Sequence, residues 1–135
     1  MNAVVIDAQG GKIGKQLVLA IKKLLPEVEV TAVGTNGAAT AAMRGAGADQ
    51  AATGENAVIV ACRTADVILG PVGIVIADSL MGEISPAMAA AVGQSAARRI
   101  LIPFDHCNNI IIGAADIPVG KRIQAAVDVL RALLA

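Results

Sequence analysis

The sequence predicts an α/β fold in which a single doubly wound, mostly parallel sheet of five to six strands is flanked by helices. Two observations predict it. Short apolar runs alternate with stretches of helical periodicity, which is how a parallel sheet covered on both faces reads. The second is the opening, where Ala3-Val4-Val5-Ile6 passes through Asp7 into Ala8-Gln9-Gly10-Gly11-Lys12-Ile13-Gly14 and then a helical pattern. That is a strand, a glycine-rich turn and a helix start.

The strands read at residues 3–6, 29–33, 49–52, 67–69, 100–102 and 110–112. Between the first two, Ile13, Leu17, Ala20, Ile21 and Leu24 fall on one helical face while Lys15, Lys22 and Lys23 face water, and Pro26 ends the helix. An Ala-rich helix over 36–46 starts at the N-cap Asn36 and closes at Gly47. Thr53 is read as the N-cap of a short helix running through Glu55 to about residue 62. Ser85 followed by Pro86 starts a helix that runs to Val92 or Gly93, and a last helix over 119–134 places Ile123, Val127, Leu130 and Leu134 on one face. Asp78 and Ser79, in the apolar stretch between, are read as facing water or an oligomer contact.

Right-handed crossovers give these elements the Rossmann-like order 3-2-1-4-5, with the last strand added at an edge. The chain then reverses between strands 1 and 4. The loop 7–14 faces Gly70-Pro71-Val72-Gly73 across the switch-point crevice where such sheets bind ligands.

At 135 residues the chain reads as one domain, 1–135. Eleven basic and eleven acidic residues cancel without a basic stripe, and Phe104 is the one aromatic residue, so the electrostatic and stacking features of a nucleic-acid binder are missing. No signal peptide and no membrane-length apolar run is present, which predicts a cytoplasmic protein whose Cys62 and Cys107 are thiols. A 56% hydrophobic chain with 16% charged residues has little polar surface, which predicts a homodimer or higher homo-oligomer.

Three templates bear on the first turn. Ala8-x-x-Gly11-x-x-Gly14 follows the G-x-x-G-x-x-G turn of extended short-chain dehydrogenases, with alanine in the first slot. G-x-G-x-x-G fails at Gln9, and the P-loop fails there and again at Gln16, where its hydroxyl belongs. The turn thus suits a phosphate held by amides around Gly10, Gly11, Ile13 and Gly14, with charge from Lys12 or Lys15. Strand 2 ends in Gly34-Thr35-Asn36, without the carboxylate that usually takes an adenosine ribose; Thr35 and Asn36 are the residues left to hold a sugar hydroxyl. Glu83 is an acid or base if it faces the crevice, and Asp105, His106 and Cys107 follow strand 5 at the ligand-binding edge. No C-x-x-C or H-x-x-x-H spacing supports a metal site.

Several stretches together, Asp7 to Gly11, Ala32 to Asn36, Ala52 to Ala57, Gly70 to Ser79 with Gly82-Glu83-Ile84, and Ile102 through Asn108, resemble a bacterial family known as domain of unknown function 3842. That family usually has glycine where this chain has Ala8. The resemblance implies a stand-alone domain of this size and carries over no activity or catalytic residue.

The residues therefore leave three readings. One is a protein binding a nucleotide, an NAD(P)-like dinucleotide or another small phosphate-bearing ligand through Gly10 to Gly14, Thr35, Asn36 and the Gly70, Pro71, Gly73 loop. Another is a small-molecule enzyme using Asp105, His106 and Cys107 with Glu83. The third is a non-catalytic oligomeric scaffold.

Overall fold

The computed structural model describes residues 1–105 and 108–135. The order is β1 (Asn2–Asp7), α1 (Lys12–Leu24), β2 (Glu29–Gly34), α2 (Gly37–Gly45), β3 (Gln50–Thr53), α3 (Glu55–Thr64), β4 (Val67–Pro71), α4 (Pro86–Gln94), β5 (Arg98–Ile102) and α5 (Val119–Leu134). Short 3-10 turns follow β4 at Val72–Val75 and precede α5 at Ala114–Asp116. The strands are parallel and lie in the order β3-β2-β1-β4-β5.

Alternation along β1 divides the core. Ala3 and Val5 point to the face covered by α1, α2 and α5, where Leu17, Ile21, Met43 and Leu130 are buried. Val4 and Ile6 point to the other face, against Val58 of α3 and Val92 of α4. All of β4 is buried, as a central parallel strand requires. Gly70 is there because a Cβ would lie 2.4 Å from the Ile6 carbonyl oxygen of the neighbouring strand.

Local signals explain most boundaries. Asn36 caps α2 by accepting from the Ala39 amide at 2.9 Å, and Ser85 caps α4 by accepting from Met88 at 3.2 Å, with Pro86 in the first turn. Thr53 does not cap α3. It ends β3 in register with Gly34, with its hydroxyl 2.7 Å from that of Thr40, and Gly54 at φ 106 makes the bend into the helix. The expected edge strand at 110–112 is also corrected: among the described residues this stretch joins no sheet, and Ile110 and Ile112 are 79% and 93% exposed. Only residues 103–109 separate it from β5, too few for the crossover of a dozen or more that a parallel neighbour needs. The apolar triplet lies in the connection between β5 and α5.

Candidate functional site

At the ends of β1 and β4 the chain leaves toward opposite faces of the sheet, and a cleft of about 130 Å³ opens between the two departures. Asp7 and Ala8 border it at the end of β1, and Gln9 to Lys12 form its rim. Ile13, Pro71, Leu80 and Phe104 make apolar walls.

The turn is tight and left-handed. Gln9 and Gly11 have φ of 53° and 71°, and a Cβ on Gly11 would lie 2.8 Å from the Ala39 Cα, so glycine is required there. The Gly11 amide donates to the Ala8 carbonyl at 3.0 Å, and α1 begins with the Lys15 amide on the Gly11 carbonyl at 2.8 Å. The start of α1 already has an anion of its own. Asp7, 5% exposed, accepts from Ala8 through Oδ1 at 2.8 Å and from Gly14 through Oδ2 at 2.7 Å, with the Ile13 amide also directed at its carboxylate. Burial raises the Asp7 carboxyl above its usual range, against the lowering effect of the amides of Gly14, Ala8 and Ile13, while the Glu83 charge adds a smaller upward push. The amides of Gly10 and Lys12 have no acceptor among the described residues.

Glu83 performs a different task from the one its sequence position suggests. Its Oε1 accepts from the Gln9 amide at 2.9 Å, the Thr35 hydroxyl at 2.6 Å and the Asn36 carboxamide at 2.8 Å, which ties the loop after β4 to the loops after β1 and β2. The Thr35 hydroxyl is the main cause that lowers the Glu83 carboxyl below its usual range. The loop carrying it is strained: Asp78, Leu80 and Met81 all have positive φ. Asp78 is exposed as expected, but Ser79 is fully buried and donates to the Gly73 carbonyl.

The predicted residues thus fall into groups. Gly10, Gly11, Lys12, Ile13 and Pro71 line the cleft. Gly14 lies behind it, where a Cβ would meet Met43 Sδ at 2.5 Å, and Gly70 in β4 and Gly73 in the turn that follows are buried. Thr35 and Asn36 hold Glu83, and Asn36 also donates to the Gln9 carbonyl at 2.9 Å. Asp105 is exposed and accepts from the Ile111 amide at 2.8 Å, which shapes the long loop; His106 and Cys107 lie outside the described residues. Cys62 is buried between α3 and α4, away from the cleft, and burial pushes its thiol up. Among the described residues no group of three His, Cys, Asp or Glu side chains is placed to hold a metal ion, and no helix is long and apolar enough to cross a membrane.

Two residues of the site escape a reading by motif. Asp7 is signalled only by standing between buried positions, where a carboxylate needs hydrogen-bond partners. Arg122 donates to the carbonyls of Ile117 at 2.7 Å, Pro103 at 2.8 Å and Ala114, and its guanidinium sits 4.8 Å from the centre of the Phe104 ring. It fixes the long loop and with it the aromatic wall of the cleft.

This is a doubly wound α/β protein with a glycine turn and a cleft at the switch point of its sheet. The chain belongs to the family described as Domain of unknown function (DUF3842), whose model matches residues 2–135. No protein with a curated description matches the sequence. Among solved structures the chain is similar to a dodecameric FMN-dependent UbiX-like decarboxylase from Escherichia coli O157:H7, with 20% identity and a TM-score of 0.48 over 96% of this chain and 76% of that one. A likeness of that size bears on neither ligand nor assembly.

Proposed function

We propose that the chain binds a small phosphate-bearing metabolite, such as a nucleotide, in the cleft where β1 and β4 part. One observation carries this reading: the amides of Gly10 and Lys12, unpaired among the described residues and beside the exposed Lys12 side chain, border a cleft with apolar walls. Unpaired amides at a turn that opens a helix suit an anion, and the walls of Ile13, Pro71, Leu80 and Phe104 suit the remainder of an organic ligand. Because Thr35 and Asn36 are engaged by Glu83, a compact ligand fits this reading better than an NAD(P)-like dinucleotide reaching across β2. Catalysis by Glu83 and Asp105 has less support, since their bonds hold loops in place.

The test is calorimetric unfolding with inorganic pyrophosphate and a set of nucleotides, since the chain has neither tryptophan nor tyrosine. A ligand at a hundred times its Kd should stabilise the protein by about 2.7 kcal/mol. Lys12→Glu should abolish that gain without lowering the ligand-free unfolding temperature, because Lys12 is exposed, in no ion pair among the described residues, and at a helix start that favours an acidic side chain. No stabilisation by any compound, or a full gain retained in Lys12→Glu, would sink the reading. Gly14→Asp is not a clean substitute, because its side chain would strike Met43.

We also propose that the protein self-associates, a reading supported by the exposure of Met81, Ile110 and Ile112 on loops at the carboxyl edge of the sheet.

A further inference from the structure

The amides offered by a glycine turn are partly used within this chain, and their division restricts which ligand the cleft suits. An ionised carboxylate has about four acceptor sites. At Asp7 two are taken by the amides of Ala8 and Gly14, with the Ile13 amide adding a weaker attraction. Acceptor capacity is therefore left on a group that borders the cleft. A phosphate or carboxylate brought against Asp7 would meet a like charge that already complements the start of α1. A hydroxyl or N–H would find an acceptor.

At the rim the polarity is reversed. Among the described residues the Gly10 and Lys12 amides are donors without acceptors, and the Lys12 ammonium stands beside them in solvent. The cleft therefore presents an acceptor at one end and donors at the other, with Pro71, Leu80 and Phe104 as apolar walls. Asp7 is also held in place: a Cβ on Gly14 would lie only 2.9 Å from the Asp7 Cβ, and the amide bonds fix the carboxylate plane. A polar group fixed in this way before binding discriminates well, because it need not be ordered by the ligand.

We infer that Asp7 is a specificity-determining residue, and that the ligand is a phosphorylated sugar or polyol which lays its phosphate on the Gly10 to Lys12 rim and donates a hydroxyl to Asp7. This rests on the phosphate-ligand reading above. A hydrogen bond to a charged acceptor corresponds to about tenfold or more in affinity, so the hydroxyl should be visible as a difference between two probes.

The experiment is an NMR titration of the unmodified protein with ribose 5-phosphate and, separately, inorganic phosphate, following backbone amides and side-chain carboxyl carbons. Both probes should shift the Gly10 and Lys12 amides. Ribose 5-phosphate alone should shift the Asp7 carboxyl carbon, and it should bind about tenfold or more tighter than inorganic phosphate. Asp7→Asn, where it folds, should reduce ribose 5-phosphate to the affinity of inorganic phosphate. Because asparagine turns an NH₂ toward the amide of Ala8 or Gly14 and can undo the turn, the wild-type carboxyl signal is the deciding readout. Rim amides that shift with both probes, at equal affinity and with Asp7 unmoved, would overturn this inference and leave the phosphate reading intact. Rim amides that respond to neither probe would overturn both.

Discussion

Three donors converge on one oxygen of Glu83, so a change in its charge loosens three loops at once. The sign of its pH dependence follows from its lowered carboxyl. A group held below its unfolded value of 4.5 contributes stability above that value and loses it as the pH falls through the folded value. Asp7 acts in the opposite sense. Its raised carboxyl means that the folded state takes up the proton first, so this group opposes acid unfolding on passing below its folded value. Glu83→Gln keeps an acceptor oxygen but removes the charge. Urea midpoints measured against pH should show a loss of about 1 kcal/mol at neutral pH, the low end for a charge-assisted site because Glu83 is half-buried. Below pH 4.5 the gap between variant and wild type should close. Parallel acid limbs in the two proteins would show that the carboxylate charge does not hold the loop.

Among the elements, the long loop between β5 and α5 depends most on one side chain. Arg122 spans the carbonyls of Pro103, Ala114 and Ile117 and stacks on Phe104, an arrangement that needs a planar fork of donors. Arg122→Lys keeps the charge and cannot span these groups. Hydrogen exchange should show faster exchange at the Ile111, Ala114 and Asp116 amides, which are bonded within the loop, with the strands unchanged, and stability should drop by about 1–3 kcal/mol. A uniform increase in exchange would instead mark a global effect without a special role in the loop.

The same loop shows what was legible in the sequence. The five strands and their helices follow from apolar runs and periodicity, and Asn36 and Ser85-Pro86 act where local capping chemistry places them. Thr53 does not cap α3 because the positive φ of Gly54 decides that boundary, and a local cap pattern does not contain φ. The stretch 110–112 has strand composition, and only the count of intervening residues denies it a parallel partner. In the site, the glycine turn was legible because Gly11 needs its backbone freedom locally. The Glu83 clasp and the Arg122 brace were not, since each joins positions far apart in the chain: Glu83 lies 74 residues from Gln9, and Arg122 lies 19 from Pro103.

For the whole molecule the question is whether its surface is complete. The accessible area is 6489 Å², close to the roughly 6,500 Å² expected of a compact monomer of 13.5 kDa. The fold itself thus leaves no unusual excess of area. The surface is distinctive in chemistry, with 16% charged residues in the chain against about 25% in an ordinary domain. A standard interface takes about 800 Å² from each partner, roughly an eighth of this surface, and Ile110 and Ile112 are 79% and 93% exposed on the loop before α5. Sedimentation equilibrium should therefore find a dimer or larger species. The double substitution Ile110→Lys and Ile112→Lys should shift it toward monomer while unfolding of the monomer stays cooperative, since both side chains are exposed and outside the two core clusters. A wild-type protein that sediments at 13.5 kDa at its highest loading concentration would reject self-association, and an unchanged oligomer in the double variant would move the interface away from this loop.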